Sequence, residues 1–253
     1  MEFENRVAVL TAGAGGFGSA TARILARGGA DIVIADIDEA SAQELVKEIK
    51  GLGRRAIFVP TDVSKKADAQ KLAKAAADAF GRVDILVNIA GNSLGGALEE
   101  MPEADFDKVI AIHLKGTFLC SQAAIPYMKQ NSWGRIVNII SRAAFKPRVG
   151  MGAYSAAKGA ILAMSRVLAA EVAQYGINVN CVAPGTALTK MVRHGFPTAE
   201  DQMHEATTSG VITRPVRLAH PEEIAGAIVF LCSTPSAHIT GSTIHVNGGT
   251  FMA

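Results

Sequence analysis

The sequence is short of several things, and each shortage narrows the reading. It has 3 cysteines in 253 residues, Cys120, Cys181 and Cys232. They are odd in number, far apart and set in apolar runs. Buried, reduced thiols in a cytoplasmic protein are therefore expected, not a disulfide framework or a CxxC metal site. Charge of one sign is also missing. The balance of 25 Lys+Arg against 23 Asp+Glu leaves +2, too little to draw the chain to nucleic acid or an anionic membrane. No stretch approaches ~18 consecutive apolar residues, which argues against a bilayer-spanning helix. The start, Met1-Glu2-Phe3-Glu4-Asn5, is acidic and lacks the separate apolar segment of a secretory signal. There is no low-complexity tract, internal repeat or Pro/Ser-rich linker. An apolar fraction of 49% is too high for a disordered chain.

Glycine is what the chain has in excess, 25 of 253 residues, against an average near ~7%. With no low-complexity tract to hold them, their positions carry the meaning. Strand-length apolar runs fall at 6–11, 31–36, 56–60, 83–88, 134–141, 177–182 and 242–246. Helical patterns separate them at 16–28, 39–51, 64–80, 103–130, 152–175 and 221–232, with Ser64 as an expected N-cap. Repeated β-α-β with wholly apolar strands implies an α/β fold, a doubly wound parallel sheet with helices on both faces, in one domain over 1–253. The stretch 186–220 has no clear period and holds Pro197 and Pro215. It reads as a lid over a substrate site, or as a surface excursion.

The first strand runs into Thr11-Ala12-Gly13-Ala14-Gly15-Gly16-Phe17-Gly18, and a helix follows. Glycine at that turn lets backbone approach a pyrophosphate, and the free N–H groups of the helix start favour an anion. Asp36 ends the second strand, 18 residues past Gly18. A carboxylate there suits both ribose hydroxyls of an adenosine and repels a 2′-phosphate. The next residue is Ile37, not Arg, and the loop has no basic residue. Both points favour NAD over NADP. The plainer alternative is an acidic residue that merely ends a strand.

Tyr154 and Lys158 are i and i+4 on one helix face, and Ser141 ends the fifth strand. A cation ~4 Å from a phenol is worth ~4 kcal/mol at a dielectric of ~20, or ~3 pKa units. That would bring the Tyr154 hydroxyl toward neutrality, where acid–base chemistry is most effective. Ser141 could donate to the reacting oxygen. A solvated Tyr/Lys pair is the alternative when the motif is taken alone.

Taken together, these residues resemble the short-chain dehydrogenase/reductase family, of single-domain type, nearly end to end. The resemblance rests on the loop from Thr11 to Gly18, Asp62-Val63, Asn88-Ile89-Ala90-Gly91, and Ser141 thirteen residues before Tyr154-x-x-x-Lys158. Pro184-Gly185 with Thr189, and Ile239-Thr240-Gly241 leading to Val246-Asn247-Gly248-Gly249, complete it. It implies a seven-stranded Rossmann-type sheet in dimers or tetramers. Tyr154 would be the acid/base, Ser141 would orient the substrate oxygen, and Lys158 would lower the Tyr pKa and hold the nicotinamide ribose. Asp62 and Val63 would contact adenine, and Asn88, Ala90 and Gly91 would line the adenosine side. The Ala187 backbone and the Thr189 hydroxyl would hold the carboxamide.

Three positions depart from the family pattern. Ala12 stands where the loop's first glycine is usual, and the turn is expected to tolerate it. Ile89 replaces a second Asn and should pack behind the cofactor. His113, in Ile112-His113-Leu114-Lys115-Gly116, occupies the place of the family's catalytic Asn. It is expected to keep that relay and to add a pH-dependent step, since free imidazole has a pKa near ~6.5. A purely structural His is the alternative. The remaining histidines (His194, His204, His220, His238 and His245) show no metal-ligand spacing and read as surface or loop residues.

Arg142, Lys146 and Arg148 lie between Ser141 and Tyr154, and Lys190, Arg193, His194 and Arg214 lie in the lid segment. They would suit an anionic substrate, or be solvated surface charge. Phe145, Val149, Met151, Met191, Val192 and Phe196 are candidate apolar walls, and Arg217 reads as structural. Small residues on the 152–175 helix fit subunit packing, or simply the helix propensity of Ala. The expected function is NAD-dependent hydride transfer between nicotinamide and a secondary alcohol or ketone, in a homo-oligomer without metal, nucleic acid or membrane. The rivals are an NADPH-dependent 3-oxoacyl reductase and a catalytically silent cofactor-binding regulator.

Overall fold

Seven parallel strands form one sheet in the computed structural model, in the order β3-β2-β1-β4-β5-β6-β7. The structure describes residues 1–92, 94–146, 148–189 and 197–252. The strands are β1 (Val7–Thr11), β2 (Asp31–Asp36), β3 (Ala56–Pro60), β4 (Ile85–Asn88), β5 (Gly134–Ile139), β6 (Ile177–Pro184) and β7 (Thr243–Val246). The helices are α1 (Gly16–Arg27), α2 (Glu39–Gly51), α3 (Lys66–Phe80), α4 (Glu103–Ile110), α5 (Gly116–Gln130), α6 (Gly152–Val172), α7 (Ala199–Thr208) and α8 (Pro221–Cys232).

Alternate residues of each central strand feed opposite cores. Ala8, Leu10, Ile32 and Ile34 meet α1, α2 and α8 through Leu25, Leu45, Ile49 and Ile228. Val7, Val9, Val33 and Ala35 meet α3, α5 and α6 through Leu72, Leu119, Met128 and Val172. Because both faces are covered, the central strands are largely apolar on both sides, and full burial of each such Leu or Ile contributes roughly 1.5–3 kcal/mol. Cys120, Cys181 and Cys232 are free and buried, as expected of them.

The structure differs from the sequence reading in four places. Ser64 is not an N-cap: α3 begins at Lys66 after Lys65. The Ser64 hydroxyl and amide both donate instead to Asp62 Oδ1, at 2.7 and 3.1 Å. The 103–130 stretch is interrupted between α4 and α5 by a π-helical turn, Ala111–Lys115. By length and composition alone, this 28-residue run Glu103–Gln130 would be apolar enough to cross a membrane. Here Val109, Leu119, Ala124 and Met128 face the protein interior. The 152–175 helix ends at Val172, with a 3-10 turn over Ala173–Tyr175. Within 186–220 the chain forms α7, opened by a capping box of Thr198 and Asp201.

Candidate active site

The strand order reverses between β1 and β4, so the C-terminal ends of those strands flank a crevice, where such sheets bind ligands. Ala12, at the end of β1, carries φ +48°. It takes the left-handed conformation itself, so the turn does tolerate Ala. A Cβ on Gly18 would lie 2.3 Å from the Ala12 carbonyl oxygen, and one on Gly13 would lie 2.9 Å from that of Leu10. Gly13 and Gly18 thus let the loop and α1 pack closely, while Gly16 and Phe17 line the crevice. Gly15 is the N-cap of α1 and offers no side-chain cap, leaving the first amides of the helix open.

Asp36 Oδ2 accepts the Ala14 amide at 3.0 Å, and Oδ1 accepts those of Ile37 and Asp38 at 2.8 and 3.1 Å. Asp36, Ile37, Asp62, Val63, Ala90 and Gly91 share a cavity of about 490 Å³. The Ser64 hydroxyl, with help from the Ser64 amide and Lys65, holds the Asp62 carboxyl below its usual pKa. Thr11 Oγ1 accepts the amides of Ile89 and Ala90 at 2.9 and 3.2 Å, tying the end of β1 to the segment after β4. Ile89 packs against the core and also lines the neighbouring cavity.

Asn88 corrects an expectation. It is buried, and its Nδ2 donates to Asn138 Oδ1 at 2.8 Å and to Ser121 Oγ at 3.1 Å. Asn138 Nδ2 in turn donates to Ser165 Oγ at 2.8 Å. The side chain belongs to this interior network and not to the crevice wall.

A second cavity, of about 400 Å³, continues from the first through Ala12, Gly91 and Asn92. It brings Ser141, Tyr154, Lys158 and His113 together with Pro184, Gly185, Ala187 and Thr189. Ser141 Oγ accepts the Ala143 amide at 3.1 Å, which sets its rotamer and leaves the hydroxyl facing the Tyr154 phenol. Lys158 is buried, and its Nζ donates to the Ile139 carbonyl at 2.6 Å. Burial pulls its pKa down to about 7. Burial pushes the Tyr154 phenol up, and only the Ser141 hydroxyl opposes that. Lys158 Nζ sits 5.6 Å from the Tyr154 ring centroid, and its hydrogen bond goes to the Ile139 carbonyl.

The π-helical turn presents His113 to this cavity, and the His113 carbonyl accepts the Thr117 hydroxyl at 2.7 Å. His113 Nε2 lies 3.0 Å from the Asn92 amide and 3.1 Å from the Asn92 carbonyl, so either neutral tautomer finds a partner. The ring meets Tyr154 edge-on with centroids 5.2 Å apart. Gly91 makes this approach possible, since a Cβ there would be 2.4 Å from His113 Cε1. Burial, then the Lys158 charge, lowers the His113 pKa to about 3. The expected pH-dependent step near neutrality is therefore not available to His113.

Residues 6–200 match the short chain dehydrogenase family model. The chain belongs to the short-chain dehydrogenase/reductase family. It is an oxidoreductase of that family, which implies a nicotinamide cofactor. It is 41% identical to a (2S)-[(R)-hydroxy(phenyl)methyl]succinyl-CoA dehydrogenase subunit of Thauera aromatica, over 98% of each chain. It is 35% identical to dehydrogenase/reductase SDR family member 4 of Homo sapiens, over 97% of this chain and 87% of that one. It is also 34% identical to the 3-oxoacyl-[acyl-carrier-protein] reductase of Thermotoga maritima, over 98% and 99%.

The residues present fit the family's cofactor. The close-packed glycine turn, the open amides of α1 and two joined cavities form one elongated cradle beside the Asp36 carboxylate. Position alone did not single out Thr61, Asn92, Leu94, Ile112 and Thr186, which also line it. Asn92 and Thr186 each directly follow a glycine of the family pattern, which is the signal that could have found them.

The candidate substrate residues divide. Arg142 Nη1 donates to the Ser209 carbonyl at 3.1 Å, Lys146 Nζ to that of Thr250 at 3.4 Å, and Arg148 lies 3.8 Å from Glu205. Arg214 lines a separate cavity of about 380 Å³ that also touches Thr186. Phe145 stacks on Phe251, whereas Val149 is 99% exposed and walls nothing in this structure. Met151 precedes α6 and bridges to Gly96. His245 corrects the surface reading, for it sits on β7 against the rings of Phe145 and Phe251. His220 caps α8, and Arg217 pairs with Glu223 at 2.7 Å in the structural role expected of it. Among the described residues no His/Cys/Asp/Glu group could hold a metal. Lys190, Met191, Val192, Arg193, His194 and Phe196 lie outside the described residues.

Proposed function

We propose that the protein is an NAD-dependent dehydrogenase that interconverts a secondary alcohol and its ketone. One observation carries the reading: Ser141, Tyr154 and Lys158 wall the same cavity as the glycine turn and Thr189. When bound, the nicotinamide supplies or accepts the hydride. Ser141 donates its hydroxyl proton to the substrate oxygen, which takes the place of the Tyr154 phenol as its acceptor. Tyr154 takes the alcohol proton during oxidation and returns it during reduction. Lys158 titrates near neutrality, so a phenolate forming at Tyr154 draws it into the ammonium form, and that charge then stabilises the phenolate. His113 stays neutral and anchors the Gly91-Asn92 turn.

Gly13, Gly16, Phe17 and Gly18 would shape and line the phosphate cradle. Asp36, Ile37, Asp62, Val63, Ala90 and Gly91 would hold the adenosine. Pro184, Gly185, Ala187 and Thr189 would hold the nicotinamide end. The Asp36 carboxylate supports NAD, because it accepts ribose hydroxyls and repels a 2′-phosphate. An NADPH-dependent 3-oxoacyl reductase is the second reading, favoured by the Thermotoga maritima relative and opposed by Asp36.

An alcohol panel followed at 340 nm with NAD and with NADP tests both readings. Reduction of NAD in preference to NADP is expected, and Asp36→Ala should narrow that preference by tenfold or more. Tyr154→Phe should lower kcat by about 10²–10⁴. Preference for NADP in the parent, or near-normal turnover by Tyr154→Phe, would overturn the corresponding part.

A further inference from the structure

Thr186 belongs to two cavities. It lines the catalytic one with Ser141, Tyr154 and Lys158, and also the neighbouring one of about 380 Å³. It therefore stands in the partition between them. The backbone there is fixed, because the Thr186 carbonyl accepts the Ala219 amide at 3.3 Å and the Leu188 amide donates to the Ala219 carbonyl at 2.9 Å. The Thr186 hydroxyl donates to Glu205 Oε1 on α7, also at 3.3 Å.

Glu205 decides what that hydroxyl can do. An ionised carboxylate only accepts, so it claims the one proton that Thr186 has to give. The Thr186 oxygen keeps its lone pairs and meets the catalytic cavity as an acceptor. The carboxylate itself is short of donors among the described residues. Its side chain is 12% exposed, the bond from Thr186 is long, and Arg148 Nη1 lies 3.8 Å away, beyond hydrogen-bond reach. A carboxylate kept this far out of water gains from any arrangement that brings a further donor to the pair. The catalytic cavity thus has two unlike walls. Ser141 and Tyr154 present hydroxyl donors, and Thr186 backed by Glu205 presents an oxygen acceptor.

We propose that Thr186, oriented by Glu205, determines specificity by accepting a hydrogen bond from a second hydroxyl of the substrate, so that the enzyme acts on diols and the matching hydroxy ketones. This deepens the function proposed above and rests on it. In the oxidation one carbinol C–H bond breaks and its hydride passes to the nicotinamide, while the O–H proton on the same carbon passes to Tyr154. The second hydroxyl, held by Thr186, is unchanged in the product. A monomethyl ether of the diol brings a second oxygen without a proton and sets lone pairs against lone pairs.

The test compares vicinal and 1,3-diols of four to six carbons with their monomethyl ethers, using the parent and the variants Thr186→Val, Thr186→Ser and Glu205→Gln. The parent should favour at least one diol over its ether by tenfold or more in kcat/KM. Thr186→Val, which keeps the shape of the side chain without the hydroxyl, should bring that ratio close to one, and Thr186→Ser should restore it. Glu205→Gln, whose amide can donate to Thr186 and release its proton, should shrink the ratio at least threefold. If Thr186 only fastens α7, diol and ether will fall together in Thr186→Val and the ratio will not move, which overturns the proposal. Equal use of diol and ether by the parent also overturns it. If the hydroxyl serves the nicotinamide instead, Thr186→Val will weaken NADH binding in a fluorescence titration and leave the ratio in place, which again overturns it. Absence of any alcohol oxidation by the parent would count against the function above instead.

Discussion

His113 carries a titratable ring that its surroundings keep neutral. Its pKa of about 3 in the folded chain compares with ~6.5 when unfolded. Between those values the unfolded chain binds a proton that the folded chain does not. The stability that His113 allows is complete above pH ~6.5 and is lost as pH falls toward 3, by about 1.4 kcal/mol per pH unit. The parent should therefore lose more stability between pH 6.5 and 5.5 than His113→Asn does, by about 1 kcal/mol. Urea unfolding at the two pH values measures this, and parallel losses would contradict it. Gly18 acts through space alone. Its replacement by Ala puts a methyl 2.3 Å from the Ala12 carbonyl, where backbone must move. NADH fluorescence titration should show at least tenfold weaker binding by Gly18→Ala; unchanged binding would mean the turn yields freely.

Between elements, the Asn88–Asn138–Ser165 chain joins β4, β5 and α6 through fully buried amides. Asn138→Ala would leave Asn88 Nδ2 and Ser165 each short of a partner and should destabilise by about 1–3 kcal/mol. A Tm equal to the parent's would show that water replaces the amide. The strands were legible because short apolar runs such as Ile32-Val33-Ile34-Ala35 in β2 have few other homes. The π-helical turn was not, because apolar residues continue across 103–130 and one extra residue per turn leaves no gap in them. Helix α7 went unread because it is polar, with Ala206 its buried residue. Its Thr198-x-x-Asp201 cap was the available signal. At the site, the i, i+4 spacing placed Tyr154 and Lys158 on one face. It could not show that Lys158 Nζ turns to the Ile139 carbonyl, which depends on where β5 ends. For Asn88 the motif named the residue, but partners on β5 and α5 decide which way the side chain points.

At the scale of the whole molecule, Phe118 on α5 and Val167 on α6 remain 45% and 61% exposed. We propose that these helices meet a second copy. Light scattering should give two or four chains per particle, and Phe118→Asp should lower that number; a single chain in the parent would contradict it. The Asp36 carboxylate has a consequence of another kind. The oxygen that takes the Ala14 amide braces the phosphate turn from the neighbouring strand. The group proposed to choose between two redox pools is thus also a fastening of the turn that any dinucleotide must use. A lineage, or an engineer, seeking the other pool through position 36 would first loosen the grip on both, and would have to restore that fastening elsewhere before the new preference became useful.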